Sequence, residues 1–249
     1  MESILTQSER DAGVKLLDGR PYYLAVENLE KLEPDDELEH FIKRLEELAL
    51  KEQVQHVTIT IDSSFDRNFQ QLKKKLYILK SRSLEYINDL SMETLSYNYN
   101  CNITFLSADE VGVDVFLHMW EISMSSSMNA PSNYSIEEQY EGMKQEIGVQ
   151  YKTSCYAVFK EGIPLGVVIP IIEPGTTEEG RLFYYGLLPN QRGKGLGTIV
   201  HHIGLKLLKQ KGASYYIGST GIDNEPMQQI FRNNDCVRIR EVVTFTKAF

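Results

Sequence analysis

Between Leu188 and Thr198 the chain reads Leu-Pro-Asn-Gln-Arg-Gly-Lys-Gly-Leu-Gly-Thr, with Gly193, Gly195 and Gly197 alternating with other residues and two cations close by. Glycine has no Cβ, so the backbone can turn tightly here and aim successive N–H groups outward at the positive end of a helix dipole. That is the chemistry of a cradle for phosphate oxygens, to which Arg192 and Lys194 add charge. Two well-known phosphate loops do not fit the letters. The dinucleotide pattern would want glycine at Thr198 or Val200, and no acidic ribose ligand stands about 20 residues on. The P-loop pattern needs lysine followed by serine or threonine, whereas Lys194 is followed by Gly195.

Such a cradle works only if a strand delivers the chain to a helix start. An apolar strand over Leu182 to Leu188 precedes it, and the stripe Leu196, Ile199, Val200, Ile203, Leu207 and Leu208 follows at helical spacing. Upstream, Asn102 to Leu106 reads as a short strand, and Ser107 can cap a helix running to about Met124. Loop chemistry fills Ser125 to Asn133, then Ser135 and Glu138 form the capping-box pattern for a helix over Ile136 to Ile147. Strands at Cys155 to Lys160 and Pro164 to Ile172 are joined by a Glu161-Gly162 hairpin signal. Nearer the start, Tyr22 to Glu27 reads as a strand and Leu38, Phe41, Ile42, Leu45 and Leu48 as a helix face. Val54 to Asp62 alternates as a strand, Phe65 to Leu76 as a helix, and one or two strands lie between Leu76 and Ile87. The polar stretch Asn88 to Asn102 suggests a boundary near Tyr99, giving domains 1–98 and 99–249.

Length and composition set the frame. With 249 residues, 42% hydrophobic and 24% charged, the chain excludes a disordered polymer, a collagen-like repeat or a coiled-coil rod. A net charge of −9 argues against nucleic acid or an anionic membrane as partner, because phosphate-dominated binding wants a basic face. Any anion site must therefore be local. The start lacks a secretory pattern and the longest apolar stretch, Leu165 to Ile172, is far short of a span, so a cytoplasmic protein is expected. Cys101, Cys155 and Cys236 stand far apart, which supports neither a disulfide framework nor a metal site.

The glycine segment resembles motif A of the GNAT superfamily of acyl-CoA-dependent acyltransferases, Arg/Gln-x-x-Gly-x-Gly/Ala, here Arg192-Gly-Lys-Gly195-Leu-Gly197. Leu187-Leu188-Pro189 before it, and the Tyr215 to Ser219 strand, Asn224 and the Glu225 to Asn233 helix after it, keep the family's order over roughly Asn102 to Phe249. The resemblance implies an α/β (α+β) fold, a GNAT-like mixed and mostly antiparallel sheet flanked by helices, preceded by a smaller α/β lobe. It further implies N-acetyl transfer from acetyl-CoA directly to a primary amine of a small molecule or peptide, by a monomer or homodimer. The alternative is a non-catalytic acyl-CoA-binding or regulatory protein. On this resemblance strands four and five part after Leu187 and Leu188, and a main-chain N–H near Leu188 polarises the thioester carbonyl. Arg192, Gly193, Lys194, Gly195, Leu196, Gly197 and Thr198 would hold the pyrophosphate end. Asn224, Met227 and Phe231 would meet the rest of the cofactor, with Leu188, Asn224 and Tyr185 as catalytic candidates.

Some family features are missing. The tyrosine that protonates the leaving thiolate falls on Phe231, and the strand-four glutamate base falls near Leu182, with Glu178 and Glu179 only approaching it. Tyr184, Tyr185, Tyr216, Ser219 or water could substitute. Adjacent His201 and His202 diverge by about 100° and cannot both reach a cleft. Met119, Met124 and Met128, with Trp120 and Tyr134, fall where the family covers its acceptor site; core packing is the simpler role for them. After Asp235-Cys236 little chain remains for a hairpin, so its pairing should come from the other lobe or a second subunit. Residues 22 to 87 look like a worn copy of the later half of such a domain. Its turn, Glu30 to Glu37, carries five carboxylates and no glycine, which would repel a pyrophosphate.

Overall fold

The computed structural model describes residues 4–32, 35–91, 102–128 and 134–249, with the backbone alone at 35–36 and 66–67. In chain order the elements are α1 (Gln7–Asp11), β1 (Lys15–Gly19), β2 (Tyr23–Glu27), α2 (Asp35–Lys51), β3 (His56–Asp62), α3 (Asp66–Lys74) and β4 (Ile78–Asp89). There follow β5 (Ile103–Ser107), α4 (Ala108–Val111), α5 (Val113–Met124), α6 (Ile136–Ile147), β6 (Tyr156–Lys160), β7 (Ile163–Ile172) and β8 (Glu179–Leu187). The last are α7 (Leu196–Gln210), β9 (Tyr215–Gly221), α8 (Glu225–Asn233) and β10 (Val237–Ala248). Two compact units result. One gathers Met1–Leu84, Glu141–Glu146 and Arg240–Phe249, the other Glu85–Tyr140 and Ile147–Ile239. The boundary expected near Tyr99, like Cys101, lies outside the described residues. The first unit thus takes the late residues Arg240–Phe249 in addition to an N-terminal stretch.

In the first unit the strand order is β1-β2-β3-β10. β1 and β2 form an antiparallel hairpin from Lys15↔Glu27 to Gly19↔Tyr23. Sequence reading overlooked it, although Asp18-Gly-Arg-Pro21 is turn chemistry. β3 alternates Val57, Ile59 and Ile61 inward with Thr58 and Thr60 outward, as the two-residue strand period requires. On the inner face lie Leu38, Phe41, Ile42 and Leu45 of α2, with Val243 and Phe245 of β10 in the same core. β2 runs parallel to β3 and stays paired along its whole length, from Tyr23↔His56 to Glu27↔Thr60. β3 also pairs antiparallel with β10, from Asp62↔Val242 to His56↔Ala248. The last strand therefore finds its partner within this chain. In the turn after β2, Glu30 is buried and pairs with Arg240 at 2.9 Å. That carboxylate occupies the turn where the later half of the chain carries its glycines.

In the second unit the order is β9-β8-β7-β6-β5, antiparallel throughout except for the parallel β8/β9 pair. α5 and α7 both pack on β7 and β8. β7 is buried from Leu165 to Ile171, which explains an unbroken apolar run instead of an alternating one. Ser107 and Ser135 cap their helices, each with the glutamate three residues on, Glu110 and Glu138, closing the box. Gly112, at φ 89°, splits the expected single helix into α4 and α5. β8 begins at Glu179, three residues before the expected Leu182. Its register with β7 shifts between Ile169↔Tyr184 and Pro170↔Leu182, leaving Phe183 as a bulge.

Candidate functional site

β8 and β9 pair in parallel only at Glu179↔Tyr215 and Gly180↔Tyr216. Beyond Gly180 the two strands share no further pairing, so they part well before the expected point at Leu187 and Leu188. The register Gly166↔Leu187 and the bond from Leu188 N–H to Leu165 O (3.0 Å) fix which main-chain groups face the gap. In an antiparallel ladder successive residues turn to opposite sides, so Leu187, not Leu188, directs its N–H and C=O away from β7. The N–H expected near Leu188 is thus already used by that residue, and the donor facing the gap is one position earlier.

The chain then makes a tight turn over Pro189–Gln191, in which the N–H of Gln191 donates to Leu188 O and that of Arg192 to Pro189 O. Gly193 and Gly195 follow in the left-handed region at φ 72° and 73°. A Cβ at either would meet nothing within 4 Å, so both main-chain faces are open. Among the described residues no acceptor is recorded for the N–H of Gly193, Lys194 or Gly195. α7 starts at Leu196 with Gly195 as its N-cap and no side-chain cap, so the N–H groups of Leu196, Gly197 and Thr198 join this unsatisfied set. The residues expected from the sequence to form a backbone anion cradle, Gly193, Lys194, Gly195, Leu196, Gly197 and Thr198, thus follow one another at the start of α7.

Arg192 is used differently. Its Nε donates to Leu187 O (3.0 Å), Nη2 to Ser123 O (2.8 Å) and Nη1 to Ser126 O (2.9 Å). The guanidinium fork thus ties the glycine turn to the end of α5 and the segment after it. The planar fork of donors serves three carbonyls at once, which the single ammonium of a lysine matches less well. Lys194 Nζ reaches Gln191 Oε1 at 3.2 Å on the surface.

A cavity of about 490 Å³ opens beside this turn, within the size range of small-molecule sites. Of the expected residues Leu187, Arg192, Gly193, Gly195, Gly197, Thr198, Asn224, Met227 and Tyr185 line it. Asn224 caps α8, its Oδ1 accepting from the N–H of Met227 at 3.2 Å. Tyr185 donates its phenol proton to Gly197 O (2.8 Å), and burial raises its pKa, which makes it a brace under the helix start. Leu188 and Leu196 are buried in the apolar layer behind. Phe231 is not in the wall. It is the buried residue of α8, packed on Tyr86 (ring centroids 4.6 Å), His201 (5.4 Å) and Tyr216 (6.4 Å). A spacing of seven after Asn224 turns that side chain to the inner face of α8, so it packs core where contact with a cofactor was expected.

Ser123, Ser126, Ser127, Met128, Tyr184 and Pro226 complete the wall. Sequence reading placed Met128 on the covering segment but gave no weight to the serines, which carry no motif. Met119 and Trp120 are buried, as core packing predicts. Ser123 Oγ lies 3.0 Å from Tyr184 Oη, and burial raises the Tyr184 pKa against the opposing effects of Ser123 and Arg192. Glu179 is no base for this cavity. It is buried and bonded to Arg181 Nε at 2.7 Å, eight residues along β8 from Leu187. At ~3.3 Å per residue Glu179 lies on the order of 25 Å along the strand from Leu187 and ~16 Å from Tyr184.

His201 supports the helix from behind. Asn234 Nδ2 donates to Thr198 O (3.1 Å) and to His201 Nδ1 (2.9 Å), leaving the imidazole proton on Nε2, 3.3 Å from Tyr216 Oη. Burial, and then neighbouring His202, pushes the His201 pKa down to about 3, so the ring is neutral. Both histidines are buried.

A bulged strand, a parted parallel pair and an uncapped glycine turn thus open on one cavity in the second unit. Residues 118–234 match the model of the Acetyltransferase (GNAT) family, and this part of the chain is a GNAT acetyltransferase domain. No curated protein matches the sequence. Among solved structures, a tandem GNAT protein from the clavulanic acid biosynthesis pathway aligns at TM-score 0.59 and 13% identity, over 94% of this chain and 78% of the other. A GCN5-related N-acetyltransferase from Sphaerobacter thermophilus gives 0.56 and 14%, over 94% and 76%. A conserved protein of unknown function from Staphylococcus epidermidis gives 0.57 and 12%, over 91% and 84%. At such identities the likeness concerns the fold. Among the described residues no helix is long and apolar enough to cross a membrane, and no group of metal-ligating side chains occurs.

Proposed function

We propose that the second unit is an N-acetyltransferase, carrying an acetyl group from acetyl-CoA directly to the primary amine of a small molecule or peptide in the cytoplasm. The observation that carries this reading is the run of outward N–H groups from Gly193 to Thr198 at the mouth of α7, opening on a cavity whose far wall is α5 and its following segment. Acetyl-CoA would supply an activated thioester, and the open space in front of Gly193 and Gly195 supports a diphosphate there. About half a positive charge at the helix start adds to the donors. Leu187 N–H, turned into the parted β8/β9 gap, would hydrogen-bond the thioester oxygen as negative charge develops on it. Asn224 fixes the α8 end of the cavity through its cap, and Arg192 holds the opposite wall in place. The chain brings the two reactants together and needs no covalent intermediate.

Calorimetric titration with CoA and acetyl-CoA, followed by thiol release in the presence of an amine panel, tests the reading. Binding plus amine-dependent thiol release supports it. Binding without turnover by any amine supports a non-catalytic acyl-CoA-binding protein. Absence of binding refutes the cradle itself.

A further inference from the structure

The bulge in β8 decides which tyrosine enters the cavity wall on the α5 side. Leu182 lies against α7, where a Cβ on Gly204 would meet its methyl groups at 3.3 Å. Strict alternation from there would send Tyr184 to α7 as well. Instead Phe183 and Tyr184 both face Trp120 of α5, at ring-centroid distances of 6.4 and 5.5 Å, while Tyr185 turns to Gly197 of α7. Tyr184 then lies along the strand over Gly186. Its Oη stands 2.5 Å from where a Cβ on Gly186 would be, so only glycine leaves room for the phenol. The hydroxyl is thereby carried towards Leu187, whose N–H faces the gap, and Tyr184, Gly186 and Leu187 line the same cavity.

The direction of the hydrogen bonds at this hydroxyl follows from counting donors. Ser123 Oγ lies 2.8 Å from Trp120 O and 3.0 Å from Tyr184 Oη. A carbonyl only accepts and serine has one proton, so Ser123 gives that proton to Trp120 O and accepts the one from Tyr184. Burial raises the Tyr184 pKa, so the phenol keeps its proton and the order of the chain holds. What Tyr184 turns to the cavity is therefore its lone pairs, and donation to an already bonded serine makes that oxygen a stronger acceptor.

Resting on the acetyl-transfer reading above, we propose that Tyr184 Oη accepts one N–H of the neutral acceptor amine and holds the nitrogen beside the carbonyl bound at Leu187. Ser123 is a positioning residue, acting only by keeping the phenol proton turned away. In the transfer the nitrogen–carbon bond forms as the carbon–sulfur bond breaks, sulfur leaves with the bonding pair, and one nitrogen proton passes through water to the thiolate. Tyr184 neither gains nor loses a proton, so it does not replace the hydroxyl that Phe231 lacks.

Calorimetry with CoA on the full chain comes first. Thiol release is then measured with benzylamine, spermidine and lysine amide, and the fastest acceptor is carried forward. For Tyr184→Phe, which keeps the ring, the expected result is a CoA Kd within twofold of the parent and a loss in kcat/KM for the amine of about three- to tenfold, carried by KM. Ser123→Ala frees the phenol proton to compete for the nitrogen lone pair and raises the same KM by a similar factor. In the double variant there is no phenol to direct, so Ser123→Ala adds less than twofold to Tyr184→Phe. A loss under threefold in Tyr184→Phe, a loss carried by kcat as proton transfer requires, or a full additional factor in the double variant overturns the proposal while leaving acetyl transfer standing. Failure of the parent protein to bind CoA, or to release thiol with any amine, overturns both.

Discussion

Gly195 and Gly212 share a backbone problem but not a neighbourhood. Both lie at positive φ, 73° and 99°, and a Cβ at either meets nothing within 4 Å. Alanine in the left-handed region costs about 1–2 kcal/mol, so Gly195→Ala and Gly212→Ala should destabilise alike. For a chain of this size each kcal/mol is worth roughly 2–4 °C in Tm. Only at Gly195 does the new methyl enter the open space in front of the uncapped N–H groups. Losing one hydrogen bond to a charged group costs ~1.5–3 kcal/mol, which is about a ten- to hundredfold loss of CoA affinity. Titration calorimetry on the two variants, beside thermal melts, reads both effects separately. Equal Tm losses with weakened CoA binding at Gly195→Ala alone are expected. If Gly195→Ala binds CoA within twofold of the parent protein, or Gly212→Ala weakens as much, the cradle reasoning is wrong.

Arg192→Ala strands three carbonyls, at Leu187, Ser123 and Ser126, and should raise KM for acetyl-CoA and acceptor together with a loss of about 1–3 kcal/mol in stability, measured by steady-state kinetics and urea melts. Tyr185→Phe removes the bond to Gly197 O and should cost about 1 kcal/mol, while kcat stays within threefold because that phenol proton is directed at the helix and not at sulfur. His201, with its pKa lowered to about 3 by burial, takes up a proton below pH ~6.5 only when unfolded. Its contribution is complete above that pH and is lost as pH falls, by about 1.4 kcal/mol per unit down to the folded value. Urea melts at pH 7.5, 6.5 and 5.5 should follow that slope, and imidazole resonances of His201 should not titrate above pH 4.

The legible parts of this chain are those whose physics is local. A glycine at Gly195 that must sit in the left-handed region, a Ser135/Glu138 box and the Glu161-Gly162 hairpin each act over three or four residues, so the letters suffice. What resisted reading depends on partners distant in sequence. Arg192 looked like a phosphate ligand, yet its fork meets the carbonyls of Ser123 and Ser126, about 70 residues earlier. Which of Leu187 and Leu188 offers its N–H to the gap is decided by Leu165 across the ladder. Phe231 was placed by family spacing, but the inner face of α8 and the rings of Tyr86, His201 and Tyr216 claim it. The β8 bulge at Phe183 has no sequence signal of its own.

The seating of β10 against β3 has a consequence for biosynthesis. Val243 and Phe245 fill the same apolar interior as Leu24, Phe41 and Ile59, which leave the ribosome about 180 to 220 residues earlier. During translation that interior lacks its closing strand while the GNAT domain is still being made, so the earlier-made part must wait, half-built and exposed to proteases or chaperones, until a late segment arrives to seal it.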